Sequence, residues 1–327
     1  MIDFLALGES LIDLISSKYI ESLSKANHFD VFVGGQPTNL AINMAKLGYR
    51  SALATCLGSD GLGRKALSYF QASGVITDYV QVTEQSPTSL AMITRKTTGT
   101  PEFIIYRGAD GLLKSNPAIK NIAKDIRIIH TSAFALSRDP TRETILDIIK
   151  FAKNQKHLIT FDPNYHPHIW PDKKDFIETI KDVLPYIDIT KPSIEDSERL
   201  FGSGLTPIEY LEKFLAWGVK TVILTMGKSG VYVSTNDGCS FEIQPNDINP
   251  SDVTGAGDAF WSGLLSGLLE DKTLQDAACM GQVMAEYKLH KFGPITTFPD
   301  KEQLYLNAQQ IQYKTLRLKP SQTKKRR

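Results

Sequence analysis

Short runs of aliphatic and β-branched residues alternate, through most of this chain, with stretches in which apolar residues recur every three or four positions. Ile128-Ile129-His130, Leu158-Ile159-Thr160-Phe161, Ile187-Asp188-Ile189 and Val222-Ile223-Leu224-Thr225 read as short buried strands. Between them, 140–153, 174–184 and 207–217 have helical spacing. Strand and helix in strict turn predict a parallel sheet covered by helices on both faces. Ligands of such a sheet collect at the carboxyl ends of its strands.

Two stretches break the alternation. Leu11 to Ser16 with Phe29 to Val33, and Ser89 to Thr94 with Glu102 to Tyr106, have strand character with no helix between the members of each pair. Four such strands make either a small lid sheet standing off the body or an extension of the main sheet's edge. The organisation expected is a main α/β body from 1–10, 35–87 and 109–315. A discontinuous β lid comes from 11–34 and 88–108, and a basic tail from 316–327.

The composition narrows the function classes. The 327 residues are 42% hydrophobic and 22% charged, enough for a sizeable core. A net charge of +1 gives no reason to expect nucleic acid or a membrane surface, so the substrate is expected to be small. The start, Met1-Ile2-Asp3-Phe4-Leu5-Ala6-Leu7-Gly8, lacks a basic leader, and no apolar run approaches the roughly 20 residues that span a bilayer. Cys56, Cys239 and Cys279 are sparse and never in CxxC spacing, as expected of reduced thiols in the cytoplasm. Lys324-Lys325-Arg326-Arg327 reads as a solvated tail.

The strongest candidate chemistry lies in Asp252-Val253-Thr254-Gly255-Ala256-Gly257-Asp258, which runs straight into an apolar helical segment. Amides in the first turn of a helix lack intrahelical partners, and the helix dipole favours an anion there. Glycines let a phosphate approach them closely. Taken alone, the stretch reads rather as a glycine-rich turn with a helix-start carboxylate. A second motif, Gly34-Gly35-Gln36-Pro37-Thr38-Asn39, leads into a helix with Thr38 as its expected N-cap and Gly48 closing it. Asn39 offers both donor and acceptor to a hydroxyl. Gly227-Lys228-Ser229 is not a P-loop, because Val222 stands where the first glycine must be. Gly8-Glu9-Ser10 is likewise no dinucleotide fingerprint. His157, His166 and His168 lack metal-site spacing.

Together, DVTGAGDAFWSG and GGQPTNLAINMAKLG resemble the C-terminal and N-terminal signatures of the ribokinase-like (PfkB) carbohydrate kinases. Gly58-Ser59-Asp60-Gly61-Leu62-Gly63, Arg107-Gly108-Ala109-Asp110, Phe161-Asp162-Pro163-Asn164 and Thr225-Met226-Gly227-Lys228-Ser229-Gly230 are similar as well. Gly8-Glu9-x-Leu11-Ile12-Asp13, the GGxPxN form and Arg107 to Asp110 make bacterial fructokinases the nearest likeness. Gln36 stands where ribokinases resemble a GGKGxN pattern.

The resemblance implies a three-layer α/β/α fold with a mostly parallel central sheet and a small β lid. It implies Asp258 as the base that deprotonates a sugar hydroxyl attacking the γ-phosphorus of ATP, with Gly255, Ala256 and Gly257 as an anion hole. Asp13, Gly34, Gly35, Asn39, Arg107 and Asn164 fall at sugar-binding positions. Lys191, Ser193, Thr225, Gly227, Gly230 and Gln282 fall at ATP-binding positions. Asp196 implies Mg²⁺ held through water, and Asp252 with Thr254 a potassium ion, as in some members. Three positions depart from the family pattern. Ser193-Ile194-Glu195-Asp196 replaces NxxE, His166 replaces an arginine expected of acid-sugar kinases, and Gln282 replaces an asparagine. The reaction implied is fructose to fructose 6-phosphate, in a dimer paired through its lids. A 2-keto-3-deoxygluconate or nucleoside kinase is the alternative within the family, and a non-catalytic sugar-binding protein the alternative outside it.

Overall fold

The computed structural model describes residues 2–96, 102–155, 157–246, 248, 250–251, 253–290 and 299–316. Strands Ile2–Leu7, Ser51–Gly58, Ile126–Ser132, Leu158–Asp162, Ile189–Thr190 and Thr221–Thr225 run parallel in one ten-stranded sheet. Val80–Thr83 adds a parallel edge beside Ser51–Gly58. Antiparallel Val231–Thr235, Ser240–Ile243 and Tyr313–Thr315 finish the other edge. Successive side chains of a strand point to opposite faces, and the two faces have separate cores. Leu5, Leu7 and Ile129 pack with Ile145, Phe176 and Phe214. Phe4, Ala6 and Ile128 pack with Leu40, Phe260 and Met280.

The expected helices lie at Thr141–Asn154, Lys173–Val183 and Pro207–Leu215. The expected strand at 187–189 is displaced to Ile189–Thr190. Leu184–Tyr186 forms a 3₁₀ turn, and the Ile187 N–H closes onto its first carbonyl. Among the described residues no helix is long and apolar enough to cross a membrane.

Phe29–Gly34, Leu11–Tyr19, Leu90–Arg95 and Phe103–Tyr106 form a sheet of their own rather than an extension of the main one. Its two central strands are parallel and its outer strands antiparallel. The Asp60 carboxylate fastens its root to the body. It caps Gly61–Ala72 at the Gly63 amide (2.8 Å) and accepts the Thr88 amide (2.7 Å) and hydroxyl (2.9 Å). A side chain at Gly58 or Gly63 would collide with this joint.

Two helices carry the conspicuous motifs. Gln36–Lys46 starts one turn earlier than the Thr38 cap predicted: its N-cap is Gly35, at φ 105°. Pro37 sits in the first turn, where its missing N–H costs nothing. The Gln36 amide is bonded instead to the Glu9 carboxylate (3.1 Å), and the Thr38 hydroxyl donates to the Glu9 carbonyl (3.0 Å). Gly48, at φ 85°, closes the helix as expected. Ala256–Leu269 lies against Leu274–Leu289 so closely that a methyl group at Gly263 would strike the Met280 carbonyl, and one at Gly267 would come 2.7 Å from the Ala277 Cα. Small residues four apart let the two backbones meet, which fixes the relative height of the two helices.

Candidate active site

Asp258 is the third residue of Ala256–Leu269, behind Gly255 in the left-handed conformation at φ 77°. Its Oδ2 accepts from Asn39 Nδ2 at 2.8 Å, so the two signature motifs, 219 positions apart, meet in one hydrogen bond. Asn39 Oδ1 is buried with no hydrogen-bond partner among the described residues, an acceptor suited to a hydroxyl. Asp13 projects from the small sheet against Gly34, where any side chain would strike its carboxylate. A side chain at Gly35 would come 2.5 Å from the Glu9 carbonyl.

Lys191 supplies the cation. It follows the strand Ile189–Thr190, is almost wholly buried, and lies 3.6 Å from Asp162 Oδ2 and 5.6 Å from the centre of the Trp261 ring. A methyl group on Gly257 would sit 3.5 Å from its Nζ, so the ammonium stands over the head of the Asp258 helix. An ammonium above a helix N-terminus makes a site for an anion. Of the three anion-hole positions, the Ala256 amide is turned back to the Val253 carbonyl at 3.2 Å. The Gly257 and Asp258 amides belong to the first turn, where no intrahelical carbonyl is in reach.

Burial raises Asp258 to about 7, aided by the Asp162 charge and opposed by Asn39 and Lys191. Burial, then the Asp258 charge, holds Asp13 at about 7 as well. A base poised near neutrality is what proton abstraction at physiological pH requires.

Of the six residues assigned to ATP, Thr225, Gly227, Gly230 and Gln282 line one cavity of about 510 Å³ that adjoins this centre, while Lys191 and Ser193 are not in its lining. Ala256 and Gly257 are in its wall as well. Ser193 is tied to this wall by a bridge to Thr225 and caps Ile194–Phe201. Asp196 closes that capping box. Its Oδ2 accepts the Ser193 amide (3.1 Å) and hydroxyl (2.7 Å), and burial raises it to about 6.

The family model described as pfkB family carbohydrate kinase matches residues 1–301. This chain belongs to that family. The kinase is 38% identical over 299 residues to the ATP-dependent 6-phosphofructokinase of Thermoanaerobacterium thermosaccharolyticum, covering 91% of each chain. It is 31% identical over 272 residues to probable fructokinase-7 of Arabidopsis thaliana, covering 82% of this chain and 79% of that one. The structure of Halothermothrix orenii fructokinase superposes with a TM-score of 0.77 at 32% identity, over 90% of this chain and 100% of the other.

The other residues assigned from sequence have contacts of their own. Arg107 is clamped on Asp110 (Nε 2.8 Å, Nη2 2.6 Å) and Ser137 (2.7 Å), with its guanidinium 4.1 Å from the centre of the Phe134 ring. Asn164, at φ 26°, is exposed and bonds Asp162 through its backbone amide. Thr254 is exposed in the loop before the helix, and Asp252 lies outside the described residues, as does the basic tail from 317 onwards. Among the described residues no cluster of three or more side chains could hold a metal directly. Asp196 has both oxygens turned to neighbours, Oδ2 to Ser193 at 2.7 Å and Oδ1 to Arg199 at 3.9 Å, which leaves a magnesium ion only a place held through its waters.

Other groups beside the site received no role from the sequence. His130 is fully buried, bonded to Thr160 (2.8 Å) and Gln36 (2.9 Å), and burial lowers it to about 3. As a neutral ring it orients Gln36 beside Asn39. Ser132 (2.6 Å) and the Gln36 amide hold Glu9, which burial raises to about 8. Asp162, which accepts from Trp261 Nε1 at 2.7 Å, links Lys191 to the Asp258 helix.

The kinase's kcat/KM for sugar should rise with pH through about 7, because below that value Asp258 holds a proton and cannot accept another. Asp162→Asn removes a charge that raises Asp258, so the inflection should move to lower pH. A pH–rate series on both proteins checks this, and a flat profile from pH 5.5 to 8.5 contradicts it.

Proposed function

We propose that this kinase transfers the γ-phosphoryl group of ATP to a primary hydroxyl of an unphosphorylated ketohexose, fructose, giving fructose 6-phosphate and ADP. The observation that carries the reading is the Asp258–Asn39 bond at the head of a helix that faces Lys191 on one side and the nucleotide cavity on the other. Asp13 and Asn39 hold vicinal hydroxyls. Asp258 takes the hydroxyl proton as the oxygen bonds to phosphorus and the bond to the ADP oxygen breaks, with the two oxygens in line. Lys191 and the first-turn amides meet the charge on the transferring group. Magnesium on the nucleotide phosphates would neutralise further charge there, with Asp196 receiving its waters.

Charge favours a neutral sugar. Glu9, Asp13, Asp110, Asp162 and Asp258 gather around the site, and Arg107 is already committed to Asp110. A second anionic group on the sugar, the carboxylate of 2-keto-3-deoxygluconate or the phosphate of fructose 6-phosphate, would meet Asp13 and Asp258, whose carboxyls are ionised above about 7, and would find Arg107 already paired. The likeness to an ATP-dependent 6-phosphofructokinase supports fructose 6-phosphate as the second reading. An ADP-release assay with Mg-ATP against fructose, fructose 6-phosphate, 2-keto-3-deoxygluconate, ribose and adenosine separates them. Selective turnover of fructose is expected. Turnover of an anionic sugar alone keeps the chemistry and overturns the substrate, and no turnover with any of them would favour a non-catalytic binder.

The small sheet we take to be a lid over the sugar that excludes water during transfer. Its face opposite Asp13 carries a cross-strand row, Val31, Leu14, Met92 and Ile104, whose outer members are exposed. Two copies paired through this row would cover it. Light scattering should give twice the chain mass, and a monomer across micromolar concentrations contradicts the pairing.

A further inference from the structure

The nucleotide cavity contains an arrangement that bears on which base it accepts. Gln282 and Glu286 lie one helical turn apart on Leu274–Leu289 and line the cavity together with Asn246, from the loop after Ser240–Ile243. Their exposures are only 7% and 9%. Three donors converge on the Glu286 carboxylate. Gln282 Nε2 (2.8 Å) and the Asn246 amide (3.0 Å) reach Oε1, and Asn246 Nδ2 (2.8 Å) reaches Oε2.

A primary amide is a donor at one end and an acceptor at the other, and by itself it can turn over. A carboxylate offers only lone pairs. Contact with Glu286 therefore settles which end of Gln282 faces it. Nε2 is committed to the carboxylate, and Oε1 is the end left for a ligand. Turning the amide over would set oxygen against oxygen in a site nearly closed to water, where an unpaired polar group is costly.

We propose that Glu286 acts through Gln282 as the positioning residue that makes this cavity select adenine over guanine. The 6-amino group of adenine donates to Oε1. Guanine has an acceptor oxygen at the same position, which would face a second acceptor that cannot rotate away. This inference rests on the cavity being the nucleotide site.

Calorimetric titration of the whole protein with ADP and with GDP tests it, on wild type and on Glu286→Gln, Gln282→Met and Asn246→Ala. Wild type should bind ADP about tenfold or more tightly than GDP, the preference that one hydrogen bond of ordinary worth confers. Gln282→Met, similar in volume but without the acceptor, should weaken ADP and bring the two diphosphates close to parity. Glu286→Gln can accept or donate, so it frees the Gln282 amide to turn and should narrow the preference by raising affinity for GDP. Asn246→Ala leaves the Gln282–Glu286 bond in place and should keep the wild-type ratio. With turnover as readout, KM for GTP should fall in Glu286→Gln, relative to that for ATP, while kcat stays, since the phosphoryl end is untouched. A wild-type ADP:GDP ratio in Glu286→Gln or Gln282→Met overturns the proposal. So does a ratio narrowed as far by Asn246→Ala. Wild type binding both diphosphates equally overturns it too but leaves the cavity a nucleotide site, whereas binding neither removes the cavity reading itself.

Discussion

Asp258→Asn should lower kcat by about 10²–10⁴, the range that a positioned general base contributes, with ADP affinity unchanged. The substitution keeps the shape of the side chain and an oxygen for Asn39 Nδ2, now 2.8 Å from Asp258 Oδ2, so the two motifs remain joined. What it removes is the capacity to take a proton. The nucleotide cavity is lined by Ala256 and Gly257, not by the Asp258 side chain, and its affinity should therefore hold. Rapid-quench kinetics with the sugar and calorimetry with ADP measure the two quantities separately. Undiminished phosphorylation would exclude Asp258 as the base. Equal losses in catalysis and in ADP binding would mean that the helix head had been disturbed instead.

The second large effect is expected at Lys191. Lys191→Met should cost about 10²–10³ in kcat, comparable to the loss of one aimed donor in an oxyanion hole. The aliphatic stem that fills the space beside Trp261 is kept, and the charge over Gly257 is lost. The same charge helps hold Asp258 down against burial, so the inflection of the pH profile should move above about 7 in this variant. A helix head packed wrongly would not shift a titration in that direction. Asp162 loses its cation but keeps its bond from Trp261, and a thermal melt shows how much of any loss is instability. An unchanged kcat would assign Lys191 to structure alone.

The body of the fold was legible because two periodicities alternate without conflict, and the strands flanking Asp162 and Thr225 fall where their apolar runs predict. The small sheet was legible as four strands, though pattern alone could not separate it from the main sheet's edge, since strand pairing across long gaps leaves no local mark. Asp258, Asn39 and the glycines were legible because close approach and helix heads restrict residue choice. Thr38 was misplaced as a cap because the group that satisfies the helix start comes from Glu9, far away in sequence. The part played by His130 was hidden for a similar reason. It sits within a strand and looks like any other polar residue until burial and its partners are known. Glu286 left a trace, a carboxylate four residues beyond Gln282, but that spacing is common on helices and acquires meaning only beside a cavity.

The close seam at Gly263 and Gly267 has an evolutionary reading. It unites Asp258 on one helix and Gln282 on the next, the proposed proton acceptor and the proposed base-reading residue, into one block. Asp13 and Gly34 belong to a different sheet, joined to the body through the Asp60 knot. Inheritance can therefore rewrite one half without disturbing the other. On the proposed function, changes in the small sheet would trade one sugar for another while the transfer machinery passes intact from ancestor to descendant.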